Sequence, residues 1–177
     1  MIYELVRLSD DMCIMLLHFT TYIDDPREFI DSIRALEPRV TIQIFNADNI
    51  LREQVIEVVK QSIEASKRSI LLADRIEIDM MLRSACTEQI SKAIEFIGLR
   101  RGVNNALVVA LGKYDMITRL GERLSGMLHT TAFKEISYKN LQLLYGIDEG
   151  EVSSVIAEST LEALIGILAE RANLLYR

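Results

Sequence analysis

The segment NNALVVALG, Asn104–Gly112, narrows the possible folds more than any other stretch of the chain. Six consecutive apolar residues, Ala106–Leu111, leave no polar side to turn toward water. A strand made of them must be covered on both faces, which places it inside a layered structure of sheet and helices. Its partners are visible upstream. Ile2–Leu8 and Cys13–Phe19 are apolar stretches separated by the turn SDD, and they read as a hairpin. VTIQIFN alternates, with Val40, Ile42 and Ile44 on one side and Thr41, Gln43 and Phe45 on the other, as in a half-buried strand.

Helical patterns fill the rest. In DDPREFIDSIRALEP, Asp25 stands at an N-cap, Pro26 at the first helical position and Glu28 where a capping box needs it. Phe29, Ile30, Ile33 and Leu36 then form one apolar face. Asn46 or Asp48 is expected to cap the next helix, in which Leu51, Val55, Val58, Val59 and Ser62 face inward. A further helix spans roughly Asp74–Ser84. Thr87 is placed to cap another that carries Ile90, Ala93, Ile94 and Ile97, with Gly98 in the left-handed position that ends it. Helices near Tyr114–Ser125, Lys134–Tyr145 and Val152–Tyr176 complete the chain. With 2 Pro and 8 Gly there is no linker composition, so 1–177 is expected to be a single domain. The fold class is α/β (mixed α+β), a central mixed sheet of about four to five strands packed with multiple helices.

Catalytic signatures are missing: no GxxxxGK loop, GxGxxG turn or GxSxG elbow occurs. His18 and His129 are isolated in sequence, and Cys13 and Cys86 have no ligand spacing, which leaves convergence in space as the one route to a nucleophile or metal site. The expectation is a non-enzyme without cofactor or metal. MIYELVRLSDD lacks a basic segment followed by an apolar run, and MCIMLLHF falls well short of the ~20 residues a membrane span needs. A cytoplasmic location is therefore expected.

A net charge of −6 argues against broad coating of nucleic acid, yet leaves room for one local basic site. Arg83, Lys92, Arg100 and Arg101 bracket the Thr87 helix, and arginine forks suit phosphates and unpaired bases. The plainer account is a solvated surface with cations near a helix end. The last helix raises a second question. Leu161, Leu164, Ile165, Leu168, Ala172 and Leu175 form one apolar stripe, while Ala163, Ile167 and Leu174 form another. Such a helix is either sandwiched within the fold or shared with a partner.

IQIFNADNI followed by an amphipathic helix, then MLRSACTEQISKAIEFIGLRRGVNNALVVALG, resembles the Cgi-type kinase-binding subunit of the KEOPS complex. The resemblance rests on Asn46, Ala47 and Asp48, then Arg83, Ser84 and Ala85, then Gln89, Ile90, Ala93, Ile94 and Gly98, within Ile42–Gly112. Cys86 stands where glycine is common in the family. The resemblance implies a non-catalytic subunit that binds and promotes a small atypical kinase. It also implies a grip on the single-stranded 3′ CCA end of tRNA, for threonylcarbamoyl modification next to the anticodon. The expected RNA contacts are Arg83, Lys92, Arg100, Arg101, Asn46 and Gln89. The expected partner face of the last helix is Leu164, Ile167, Leu168 and Leu174. The competing expectation is a small homodimeric protein-binding module with no RNA role.

Overall fold

Apolar length sets the two longest strands. The computed structural model describes residues 3–132 and 136–175. Within it, β1 (Glu4–Arg7) and β2 (Met12–Ile23) form the hairpin, β3 (Thr41–Asn46) follows α1 (Pro26–Arg34), and β4 (Gly102–Lys113) contains the uninterrupted apolar run. The strand order is β1-β2-β4-β3. β2 and β4 pair along their whole length, from Met12 opposite Lys113 to Ile23 opposite Gly102. Every pairing is antiparallel, so the sheet is not mixed as expected. The reason lies between β3 and β4. That connection contains several helices of its own, and no single crossover helix sets a parallel return.

The described residues form a mixed α/β structure with this four-stranded sheet and eight α-helices. No helix among them is long and apolar enough to cross a membrane. The chain, expected as a single domain, divides into two compact units. The first joins Met1–Ala47 to Gly98–Phe133 and the second joins Asp48–Ile97 to Lys134–Arg177.

In the first unit, Cys13, Met15, Leu17 and Phe19 of β2 share a core with Ile42, Ile44, Ala106, Val108 and Ala110. Ile33 of α1 and Ile117, Leu120 and Leu124 of α5 (Tyr114–Met127) complete it. The opposite face, with Ile14, Leu16, Leu107, Val109 and Phe45, is buried as well, as the apolar run demands. The Asp25 carboxylate accepts from the backbone N–H of Arg27 and Glu28 at 2.8 and 3.0 Å, so the predicted N-cap forms. At the outer edge of β3, Arg34 Nε donates to the Ile42 carbonyl (3.1 Å). Gln43 Oε1 accepts from Ile44 N–H (3.1 Å). Side chains thus occupy hydrogen-bonding groups that a fifth strand would need. Helix α5 lies so near the sheet that a Cβ on Gly121 would fall 2.7 Å from the Tyr3 ring and 3.0 Å from Met15 Sδ.

The second unit is helical: α2 (Arg52–Lys67), α3 (Ile76–Ser84), α4 (Ile90–Ile97), α6 (Tyr138–Tyr145), α7 (Glu149–Ser154) and α8 (Thr160–Asn173). Neither Asn46 nor Asp48 caps α2. A 3₁₀ turn at Ala47–Asn49 intervenes, and the helix starts from Leu51, whose N–H reaches Gln54 Oε1 (3.3 Å). Gly98 is not left-handed. The positive-φ residues among those described are Ser69, Cys86, Gly102 and Gly146. The long helix expected over Val152–Tyr176 is two helices, because the Ser159 hydroxyl accepts from Glu162 N–H (3.2 Å) and starts α8 afresh. The expected ends at Ile2, Lys134 and Tyr176 lie outside the described residues.

Helix α8 settles its own ambiguity. It packs against α2, α3, α6 and α7. Leu164, Ile167, Leu168 and Ala163 are all buried, and Ile167 is 4% exposed. Of the expected partner face only Leu174, 59% exposed, reaches the surface. With helices around it, both apolar stripes of α8 are used within the unit except at Leu174. Leu164, Ile167 and Leu168 are core residues, not a docking face.

Candidate functional site

Helix α3 is buried along most of its length, and its end shapes the site. It closes with Thr87 N–H on the Leu82 carbonyl and Cys86 N–H on the Arg83 carbonyl, both 3.1 Å. This arrangement requires a left-handed residue, and Cys86 supplies it with φ 50°. No glycine stands at this position, but the backbone shape that glycine favours is formed all the same. Thr87 does not cap α4 directly; its hydroxyl accepts from Gln89 N–H (3.3 Å).

Beyond this turn lies a hollow of ≈ 480 Å³ within the second unit, lined by Cys86, Thr87, Lys92, Phe96, Tyr145 and Arg171, with Leu144 and Leu174 as apolar walls. Phe96 meets Tyr145 edge to face, with ring centroids 5.5 Å apart. A polar network fixes Tyr145. Its hydroxyl lies 2.9 Å from the Ser84 carbonyl and accepts from Gln54 Nε2 (3.2 Å), which also donates to Ser84 O (2.9 Å). Asn49 Nδ2 donates to the Phe96 carbonyl at 2.7 Å and holds the end of α4. Burial drives the Tyr145 phenol far above its usual range, so it stays a neutral hydroxyl.

Charge in the hollow is asymmetric. Arg171 donates to the Tyr145 carbonyl (2.6 Å) and to both oxygens of Glu151 (2.8 Å each), so its charge is compensated. Lys92 is exposed and has no hydrogen bond or ion pair among the described residues. Burial pushes the Cys86 thiol up to about 11, with Arg171 opposing, and its Sγ points to the Leu168 carbonyl (3.7 Å). A thiol in that state is a weak nucleophile. The arrangement offers one partly exposed ring, Phe96, together with apolar walls and one uncompensated cation. That combination suits an unpaired base carried on a phosphate backbone.

The six expected RNA contacts divide between the units. Lys92 and exposed Gln89 lie in the second, on or next to α4. Arg83 belongs to that unit too, but it is 4% exposed. Its Nε donates to Asp79 Oδ2 (2.8 Å) and its Nη1 to the Ala172 carbonyl (2.9 Å). Arg83 is therefore no surface contact: its position on α3 faces α8, and Asp79 one turn earlier holds it there. Asn46, Arg100 and Arg101 are in the first unit. Arg100 and Arg101 are exposed on a loop drawn tight by Asn104, whose Nδ2 donates to the Arg100 and Gly102 carbonyls at 2.7 and 2.8 Å.

Phe96, Tyr145 and Arg171 did not emerge from the sequence as site residues. Phe96 was findable, since it follows Lys92 by four positions on one helix. Tyr145 and Arg171 come from α6 and α8 and carry no local signal. Among the described residues, no group of three His, Cys, Asp or Glu side chains is placed to hold a metal. Cys13 and His18 sit in the first unit and Cys86 in the second, and His18 Nδ1 lies 2.7 Å from Thr131 Oγ1. The chain matches no protein-family model and no curated protein sequence.

Proposed function

We propose that this chain is a non-catalytic, cytoplasmic subunit of a KEOPS complex that binds and activates the complex's small atypical kinase and recruits tRNA through its single-stranded 3′ CCA end. The observation that carries the reading is Lys92, without a partner at an aromatic-walled hollow, within the segment whose residue order resembles the Cgi-type subunit. Lys92 neutralises a phosphate, Phe96 supplies a ring for a base, and Gln89 lends a hydrogen-bonding amide nearby. Arg100 and Arg101 remain candidate phosphate contacts on the first unit. The kinase docks elsewhere than Leu164, Ile167 and Leu168. Leu174 remains from the expected face, and Ile90 and Ile94, 48% and 50% exposed on α4, provide an apolar strip.

The test is retention of tRNA on filters, with and without the 3′ CCA nucleotides, alongside pulldown of the kinase. Wild type should retain the intact tRNA better. Lys92→Glu, an exposed and fold-neutral change, should weaken retention by about tenfold and flatten its salt dependence by about one phosphate contact. Equal retention of both tRNAs, unaffected by Lys92→Glu, overturns the RNA role.

Ile90 and Ile94, one turn apart and half exposed, favour a second reading, in which the chain is a homodimeric protein-binding module without RNA. Sedimentation mass separates the two. A dimer broken by Ile94→Glu, in a protein that retains no tRNA, would select the module.

A further inference from the structure

The two borders of the sheet differ. On β3, Arg34 and Gln43 take backbone groups of the outer edge, whereas β1, at the opposite border, keeps its own open. Because β4 fills one side of β2, the bonds of His18 and Thr20 show which backbone groups face the other. The His18 carbonyl accepts from Thr131 N–H (2.9 Å), and Thr20 N–H donates to the His129 carbonyl (3.2 Å). Even-numbered residues of β2 therefore turn their backbone toward β1. Glu4 and Val6, opposite Leu16 and Ile14, close the ladder, and Leu5 and Arg7 turn N–H and C=O outward. No described group bonds these outward donors and acceptors. Beside them lies a hollow of ≈ 630 Å³ within the first unit, lined in part by Tyr3, Leu5, Arg7, Tyr114 and Thr131. Side chains alternate along β1, which puts Leu5 and Arg7 on the face that α5 covers. Glu4, which also lines the hollow, lies on the other face with Val6. The Arg7 guanidinium sits 5.6 Å over the Tyr114 ring and has no carboxylate partner among the described residues. Tyr114 is 47% exposed, and Tyr3 and Leu5 are half-buried, so an apolar wall borders the cation.

Backbone donors and acceptors in alternation suit an extended chain, which pairs main chain to main chain and sorts its side chains by face. A second copy related by a two-fold axis would set hollow against hollow and leave the space unfilled. We propose that the β1 edge takes an extended segment of a partner protein as an antiparallel strand, with an acidic side chain opposite Arg7 and an apolar one opposite Leu5. Antiparallel pairing orders these positions. The acidic residue comes first, a neutral residue follows opposite Val6, and the apolar residue comes third, against Tyr3 and Tyr114. The middle residue is neutral because it shares a face with Glu4. This site belongs to the first unit and rests on neither the RNA nor the kinase reading.

Fluorescence anisotropy of a labelled Thr-Asp-Thr-Leu-Thr peptide with the full chain tests the assignment, and saturable binding is expected. A methyl on the amide nitrogen of the peptide leucine, which faces Leu5, should weaken binding by at least about tenfold. The same methyl on the central threonine, whose amide faces solvent, should change it by less than about twofold. Arg7→Glu, at an exposed position, should weaken the peptide about fivefold. Lysine in place of the peptide aspartate should then restore binding to that variant. Hydrogen exchange gives a second readout, because the Leu5 and Arg7 amides should slow when peptide is added. No saturation up to about 1 mM peptide, equal effects of the two methyl groups, or no rescue by the charge swap overturns the proposal. Sedimentation of the chain alone covers the other occupant. A dimer broken by Arg7→Pro, which removes one outward N–H, would give this edge to a second copy and overturn the proposal as well.

Discussion

The two units solve the same burial problem with different materials. The first rests on β2 and β4, paired in full register, with apolar residues on both faces of the sheet. The second is assembled from helices and sinks polar groups into its interior, among them Gln54, Ser62, Asp79, Arg83 and Ser84. Among the described residues, three of the four buried polar side-chain atoms without partners, Gln61 Oε1, Ser62 Oγ and Ser84 Oγ, belong to the helical unit. An apolar sheet is specified by pattern alone, and slipping its register by one residue would turn the alternating residues of β3 to the wrong face. A helical unit with interior hydrogen bonds is specified by particular pairs. It is correspondingly sensitive to the loss of either member.

That contrast can be broken most forcefully at Asp79. Its Oδ1 accepts from Leu72 N–H (2.7 Å) while Oδ2 holds Arg83. Asp79→Ala should cost about 3–5 kcal/mol, because it leaves a buried guanidinium uncompensated. Asp79→Leu combined with Arg83→Met should recover most of the loss. Urea unfolding measures both, and a loss below ~1 kcal/mol for the single change would mean that the pair contributes little.

In the sheet unit, the sharpest probe is steric. Gly→Ala inside a helix ordinarily stabilises by about 1 kcal/mol. At Gly121 the sign should reverse to a loss of about 1–3 kcal/mol, since the added methyl meets the Tyr3 ring and Met15. A higher melting temperature for Gly121→Ala would show that α5 has room to move outward.

The mildest effect is alkaline and belongs to the helical unit. With Cys86 raised from 9.0 to about 11 when folded, the unfolded chain releases this proton first as pH climbs. The stability linked to the thiol is whole below pH 9 and disappears between pH 9 and 11. Burial pushes the Tyr145 phenol in the same direction, extending the decline to higher pH. Cys86→Ser should flatten the decline above pH 9 without removing it. An unchanged slope would place the alkaline sensitivity elsewhere.

Local chemistry made much of the fold legible. The Asp25–Pro26–Glu28 sequence announced α1, and six apolar residues in a row announced a strand covered on both sides. Other signals were present but overridden or overlooked. Ser159 and Glu162 spell a helix start in the middle of an apolar periodicity that suggested continuity. Asp79 and Arg83, one turn apart, could have been read as an internal pair, yet an arginine beside a basic cluster suggested the surface. Tyr145 and Arg171 were illegible in principle, because their roles depend on contacts made across long stretches of chain. Lys92 was read as polar-facing and is, but its neighbours at the hollow come from four separate helices or turns.

The Arg34–Gln43 arrangement at β3 has a consequence for copies of this chain meeting one another. A border strand with open hydrogen-bonding groups is an invitation to stack, protomer upon protomer, into fibrils. Here an amide and a guanidinium have already answered part of that invitation. Crowded molecules therefore find an interrupted template along this margin, with fewer groups left for a new strand to take.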